Sequence, residues 1–94
     1  MKFRATIRYW RPERASGLTV ADIPNEHIAP LGGLKQMRVQ GVINGAAYVS
    51  NVMPAGSGRL ALSVSQKMMG AAGIGVGDEA EFEIERVPRA ADAG

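Results

Sequence analysis

The sequence contains no cysteine, which excludes disulfide bonds, cysteine-ligated zinc, iron–sulfur clusters and thiol nucleophiles. Histidine occurs once, at His27, so a metal site would have to be built from carboxylates, and we expect neither a metal nor another cofactor. No apolar run reaches the roughly 18 residues that a membrane-spanning helix needs. Charges interrupt the first apolar stretch, so we expect no signal peptide and no membrane association. We also expect a cytoplasmic location, which fits the absence of cysteine.

Aromatic residues make up only 5% of the chain, and each large ring is therefore expected to anchor the core. A length of 94 residues allows one modest core and not two. We expect a single domain over residues 1–88 and a frayed tail over residues 89–94. The net charge of +2 is too small to indicate a polyanionic partner, but residues 1–14 are mainly basic and residues 78–85 acidic.

Alternation of apolar and polar residues predicts six β-strands, because period two with β-branched and aromatic members is typical of half-buried strands. They cover Lys2 to Arg11, Leu18 to Ile23, Met37 to Ile43, Ala46 to Met53, Leu60 to Val64 and Glu79 to Val87. The run from Pro12 to Gly17 predicts a turn, and the run from Pro54 to Gly58 a flexible loop.

Two short helices are predicted between these strands. The first begins at Pro24 and is limited to about two turns by Pro30 and the glycines that follow it. The second covers Gln66 to Ala72, with Ser65 as its N-cap and Gly73 in the position that glycine favours after a helix.

Asn44-Gly45 is the strongest local signal, because this dipeptide tolerates the two positive φ angles of a type I′ hairpin turn. A two-residue loop sets the register of the hairpin and places Tyr48 opposite the bare backbone of Gly41. Strands this short leave exposed edges unless they close on themselves. We therefore predict a mainly β fold, a small closed six-stranded barrel with two short capping helices. Its expected core consists of Phe3, Ile7, Val39, Tyr48, Val52, Leu60, Leu62, Val64, Phe82 and Ile84.

Three stretches, VQGVINGAAYVSNVMPAGSG, LSVSQKMM and GIGVGDEAEFEIE with VPR close behind, resemble the bacterial family described as domain of unknown function 1905. Phe3 with Ala5 and Ile23 with Pro24 fit the same pattern. The resemblance implies a double-split barrel, related to the swapped-hairpin barrels of bacterial transition-state regulators and antitoxins. Its motifs are turn and core features rather than chemistry. Met69 and Gly70 stand where the family pattern leads us to expect a second basic residue, which weakens an anion site around Lys67.

Motifs that resemble catalytic or binding signatures have structural explanations. Ser57 lies in Gly-Ser-Gly between two strands, whereas a nucleophile elbow joins a strand to a helix. The glycines from Gly73 to Gly77 precede a strand, whereas phosphate-cradling loops precede a helix. Glutamates at every second position of the last strand are typical of a solvated face, and His27 is interpreted as an exposed helix residue.

The basic face of the first strand, formed by Lys2, Arg4 and Arg8, has two interpretations. Basic residues near an exposed aromatic side chain can bind nucleic acid. The favoured interpretation is a charge ladder with the glutamates of the last strand, because opposite charges facing across strands stabilise a sheet. We therefore predict that the first and last strands are antiparallel neighbours, joined by at least one ion pair.

The leading functional hypothesis is a non-enzymatic binding or accessory module, either a monomer or a homodimer, for a small molecule or a protein. The alternative is a DNA-binding regulator or antitoxin-like dimer, with nucleic acid disfavoured. The candidate ligand-binding residues come from the first strand, the outward face of the hairpin and the neighbouring loop and helix start: Trp10, Arg38, Asn51, Arg59, Ser63 and Lys67.

Overall fold

The computed structural model describes residues 1–11 and 17–87, which form seven β-strands and two α-helices. The strands are β1 (Lys2–Thr6), β2 (Arg8–Tyr9), β3 (Thr19–Asp22), β4 (Met37–Ile43), β5 (Ala46–Gly56), β6 (Arg59–Ser63) and β7 (Glu79–Arg86); the helices are α1 (Asn25–Leu31) and α2 (Gln66–Ala72). The predicted frayed tail and most of the turn predicted from Pro12 lie outside the described residues.

The strands form one sheet in the order β1-β7-β4-β5-β6-β3-β2, and every pair is antiparallel. β1 and β2 stand at the two ends of this order, yet only Ile7 separates them in the chain. The sheet therefore curls round until its two ends meet, and the fold is a nearly closed β-barrel with two short helices, as predicted.

The first strand is divided, so the described residues form seven strands where six were predicted. At Ile7 the backbone bonds to the turn before β7: its N–H donates to Asp78 O (2.9 Å), and its carbonyl accepts from Gly77 N–H (2.8 Å). The next residue, Arg8, is already paired with Val20 of β3. Ile7 is therefore the point at which the chain leaves one partner strand for another.

The β4–β5 hairpin confirms the predicted turn and register. Asn44 and Gly45 have φ angles of 47° and 85°, as a type I′ turn requires, and Gly41 is paired with Tyr48. Tyr48 crosses the bare backbone of Gly41 and donates its hydroxyl hydrogen bond to the carbonyl of Glu83 on β7 (3.0 Å). The hairpin and β7 are thus joined by a buried side chain as well as by backbone bonds.

The prediction of a flexible loop from Pro54 to Gly58 is wrong. β5 continues through Pro54 to Gly56, and a second tight turn at Ser57 and Gly58, with φ angles of 54° and 73°, leads directly into β6. A register shift between Pro54 and Gly56 accommodates the proline, which has no N–H to donate to a partner strand.

All ten residues predicted for the core are buried in one cluster. Further members come from the helices and the strands near them: Ala21, Ile23, Ile28, Leu31, Met37, Ile43, Met68, Met69, Ala80. Ser65 caps α2 as predicted, its Oγ accepting from the N–H of Met68 (3.1 Å), and Gly73 ends the helix in the left-handed conformation. α1 has the predicted length of about two turns, although Pro30 lies inside it.

Candidate ligand-binding cleft

A surface cleft of about 490 Å³ lies on the outer face of the barrel, formed by the end of β2, by β3 and by the β5–β6 hairpin. Its lining is mainly charged, with one tryptophan and one alanine: Arg8, Trp10, Arg11, Asp22, Ala55 and Arg59. Small-molecule sites occupy roughly 300–1,000 Å³, so the cleft has a suitable size.

Strand register explains why charged residues distant in sequence converge here. Arg8 is opposite Val20, and Asp22 is opposite Ala61. Paired residues of antiparallel strands project to the same face, as do residues two apart on one strand. Arg8 and Asp22 therefore share the outer face of the barrel, and Arg59, two residues before Ala61, joins them there.

Arg8 and Asp22 form a bidentate ion pair within the cleft. Nε donates to Oδ2 and Nη2 to Oδ1 of Asp22, both at 2.8 Å. The third nitrogen, Nη1, donates to the backbone carbonyls of Tyr9 (3.2 Å) and Trp10 (3.5 Å). The guanidinium group of Arg8 thus links the backbone at Trp10 to the carboxylate of Asp22 on the neighbouring strand.

The electrostatics of the cleft favour an anion. The hydrogen bonds from Arg8 hold the pKa of Asp22 below its usual value against the opposing effect of burial, and the charge of Arg59 lowers it further. Asp22 is therefore ionised at neutral pH and balances the charge of Arg8. Within residues 1–11 and 17–87, no carboxylate forms an ion pair with Arg11 or Arg59, so these two cations set the net sign of the cleft.

Trp10 lines the same cleft and is half-buried. Its backbone N–H donates to the carbonyl of Leu18 (2.7 Å), which continues the pairing of β2 with the segment that leads into β3. The indole nitrogen donates to no acceptor among the residues that the structure describes. Trp10 thus adds an aromatic side chain to a basic cleft.

The six residues predicted as a ligand site are not all together. Trp10 and Arg59 line the cleft. Arg38 and Asn51 are paired with each other on the outer face of β4 and β5. Ser63 is half-buried on β6, and its carbonyl accepts a hydrogen bond from the hydroxyl of Ser50 (2.6 Å); Lys67 is exposed on α2.

Arg8, Arg11, Ala55 and Asp22 line the cleft but are absent from the predicted set. Asp22 carried a signal in the sequence, because it is the only carboxylate in the short strand predicted from Leu18 to Ile23. Arg8 was assigned to the charge ladder, and the structure shows that this assignment is wrong. Its partner is Asp22 rather than a glutamate of β7.

The predicted pairing of the first and last strands is confirmed. β1 and β7 are antiparallel neighbours with Phe3 opposite Phe82. Arg4 reaches two glutamates, at 3.4 Å to Glu79 and 2.9 Å to Glu81. Lys2 is opposite Glu83 in the register, without an ion pair within 4.0 Å between those two residues. Arg4 is therefore the member of the predicted basic face that the glutamates neutralise.

A comparison against known families identifies the family of this chain. A family model described as a domain of unknown function (DUF1905) matches residues 3–84. The chain belongs to this family. A search of curated proteins finds no match. The matched range of the DUF1905 domain includes every residue that lines the cleft.

Other surfaces of this DUF1905 domain have a different chemistry. A groove of about 530 Å³ crosses β4, β5 and β7, but two of its polar side chains satisfy each other, because Gln40 Nε2 donates to Glu85 (2.9 Å). His27 is half-buried rather than exposed, with its ring 6.1 Å from that of Phe3. The described residues contain no group of three potential metal-ligating side chains, and neither described helix is long and apolar enough to cross a membrane.

Proposed function

We propose that this DUF1905 domain is a non-enzymatic binding module that takes a small anionic ligand in the cleft. The observation that carries the proposal is that Trp10, Arg11 and Arg59, from two separate parts of the chain, line one cavity of ligand size. Convergent polar groups fix the orientation of a ligand in small-molecule sites. Arg11 and Arg59 supply the charge for an anion, and Trp10 supplies a flat surface.

The ionisation state of Asp22 supports a role of the cleft in binding rather than in catalysis. A general acid or base needs a carboxyl group that exchanges its proton near the working pH. Asp22 is the carboxylate that lines the cleft, and its bidentate pair with Arg8 lowers its pKa instead of raising it. In this proposal Asp22 is not a proton donor or acceptor in catalysis, and it holds Arg8 in place beside Trp10.

Fluorescence of Trp10 tests the proposal directly, because the chain has a single tryptophan. We expect at least one member of a panel of inorganic phosphate, citrate, benzoate and adenosine monophosphate to change its emission in a saturable way. Arg59→Gln should weaken that binding. The matched control Arg38→Gln should leave it unchanged, because Arg38 is an exposed arginine outside the cleft. No saturable change with any compound up to millimolar concentration would refute the proposal.

The alternative proposal is a DNA-binding regulator, for which Arg11, Arg38, Arg59 and Lys67 offer cations outside the β1–β7 ladder. Binding to phosphates is electrostatic and falls steeply with salt. An electrophoretic shift assay with duplex DNA at two salt concentrations separates the proposals. A salt-sensitive shift that the double variant Arg38→Gln, Lys67→Gln weakens, with small-anion binding unchanged, would favour the regulator.

The cellular setting and assembly also belong to the proposal. A cytoplasmic location is supported by the cysteine-free sequence, which needs no oxidising compartment. We propose a monomer or a homodimer, which light scattering after size-exclusion chromatography would distinguish.

A further inference from the structure

The two ends of the cleft differ in chemistry. Trp10 directly follows β2, whereas Arg59 begins β6 and Ala55 lies on β5. β3 lies between β2 and β6 in the sheet, so Asp22 of β3 is placed between the aromatic end and the Arg59 end. A ligand that spans the cleft meets a ring, then a carboxylate, then a guanidinium group.

This order of groups restricts where the negative charge of a ligand can lie. All three nitrogens of Arg8 already donate hydrogen bonds, to Asp22 and to backbone carbonyls. The ionised Asp22 only accepts hydrogen bonds and therefore offers no donor to an anionic group in the middle of the cleft. Neither Arg11 nor Arg59 forms an ion pair with a carboxylate among the described residues. Arg11 directly follows Trp10 and belongs to the aromatic end, so Arg59 is the donor for an anion at the opposite end.

The middle of the cleft suits an uncharged group that donates hydrogen bonds. Each oxygen of Asp22 accepts one bond from Arg8, and an ionised carboxylate has about four acceptor positions. The remaining positions can accept from the hydroxyl groups of a sugar. At the other end, a base can stack on the indole ring of Trp10, an interaction that tolerates any base because every base has a flat face.

From this layout we propose that the ligand is a nucleoside monophosphate, with its base on Trp10, its sugar hydroxyls on Asp22 and its phosphate on Arg59. This inference rests on the proposed function, that of a small-anion binding module, and names the chemical class of the ligand. Trp10, Asp22 and Arg59 are then the binding residues, and Arg8 is a positioning residue that acts through Asp22 and the backbone of Trp10.

Isothermal titration calorimetry with adenosine monophosphate, adenosine and ribose 5-phosphate tests each end of the cleft separately. For the unaltered protein we expect adenosine monophosphate to bind about tenfold more tightly than either fragment, because each fragment lacks one end of the ligand. Arg59→Gln should abolish the difference in affinity between adenosine monophosphate and adenosine. Trp10→Leu should abolish the difference in affinity between adenosine monophosphate and ribose 5-phosphate.

Two control variants separate these effects from loss of folding. Trp10→Phe keeps an aromatic ring and should bind adenosine monophosphate within about threefold of the unaltered protein. Arg38→Gln should bind it with unchanged affinity. Circular dichroism melting of each variant shows that the domain is folded when the titration is made.

The outcomes distinguish this inference from the proposed function. Binding of phosphate, citrate or benzoate that depends on Arg59, together with no preference for adenosine monophosphate over its fragments, would overturn the nucleotide assignment and leave the binding module intact. Nucleotide binding that is unaffected by Arg59→Gln and Trp10→Leu would also overturn it, because the ligand would then lie elsewhere. No binding of any anion would refute both.

Discussion

At the scale of single residues, Gly41 is the position where one strand backbone approaches another most closely. A Cβ added there would overlap the carbonyl oxygen of Glu83 and lie 2.7 Å from its carbonyl carbon. Tyr48 crosses the same position to reach Glu83, and burial raises the pKa of its hydroxyl well above the usual value. A side chain at Gly41 would therefore force apart β4 and β7, which are held by backbone bonds.

We predict that Gly41→Ala lowers the free energy of unfolding by about 1–3 kcal/mol, the usual cost of overpacking. The matched control is Gly70→Ala in α2, where an added Cβ would meet no atom within 4 Å. Alanine is a better helix former than glycine, so the control should raise stability by up to about 1 kcal/mol. Urea denaturation measures both variants, and equal stability of Gly41→Ala and the unaltered protein would contradict the close approach.

The ion pair between Asp22 and Arg8 predicts that the stability of the protein depends on pH. Arg8 depresses its pKa in the folded state, so its ion pair adds stability above the ordinary aspartate pKa of about 3.9. That contribution is lost as the pH falls through the lower, folded-state pKa. Because the pair is partly exposed to solvent, Asp22→Asn should cost at most about 1 kcal/mol at neutral pH.

Urea denaturation of Asp22→Asn and of the unaltered protein between about pH 2 and 7 measures this effect. We expect the two stabilities to converge at the acidic end, where the aspartate is protonated. A difference that stays constant over the whole range would show that Asp22 acts through packing and not through its charge.

At the scale of elements, the β4–β5 turn joins more than its own two strands. The Oδ1 atom of Asn44 accepts from the N–H of Glu81 (2.9 Å), and the N–H of Asn44 donates to the carbonyl of Glu81 (2.8 Å). The turn is therefore attached to β7 on one side. A change that distorts the turn disturbs both the hairpin and the strand beside it.

Gly45→Val tests this element, because Gly45 has a φ angle of 85° and a β-branched residue is strained in that conformation. We expect a loss of about 1 kcal/mol or more, seen as a lower melting temperature by circular dichroism. An unchanged melting temperature would mean that the chain forms the hairpin through a different loop.

Local signals in the sequence predict single elements well. The type I′ turn at Asn44 and Gly45, the cap of α2 at Ser65 and the register of the hairpin depend on a few neighbouring residues, and the structure confirms them. The change of partner strand at Ile7 could not be predicted, because alternation of apolar and polar residues continues through it. Pro54 was misleading because a bulge tolerates a proline within a strand.

The cleft was harder to predict because it depends on contacts between strands. The predicted residues Trp10 and Arg59 do line it, but Arg8 and Asp22 become partners only because β2 pairs with β3. In the sequence, the glutamates of β7 offered Arg8 an equally reasonable partner. Pairing of strands decides which carboxylate an arginine meets, and alternation alone does not determine that pairing.

At the scale of the whole molecule, contact between β1 and β7 joins the first strand of the barrel to the last. On the inner face, Phe3 and Phe82 are directly paired, with their rings stacked at 5.0 Å between centroids. On the outer face, Arg4 bonds to Glu79 and Glu81, and all three side chains are largely exposed. The same strand pair thus has an apolar contact and a charged contact that can be removed separately.

These two contacts should contribute very differently to stability. Phe82 is 1% exposed, and truncation of a buried phenylalanine costs about 3–5 kcal/mol, which approaches the total stability of a small domain. We therefore predict that Phe82→Ala unfolds the protein or leaves it without a cooperative thermal transition. Arg4→Gln should remain folded, because ion pairs between exposed side chains are screened by solvent, and any small drop in melting temperature should vanish at high salt. Circular dichroism melting of both variants at low and high salt measures the contrast. A cooperative Phe82→Ala protein beside an unfolded Arg4→Gln protein would show that the charge ladder, rather than the stacked rings, holds β1 on the barrel.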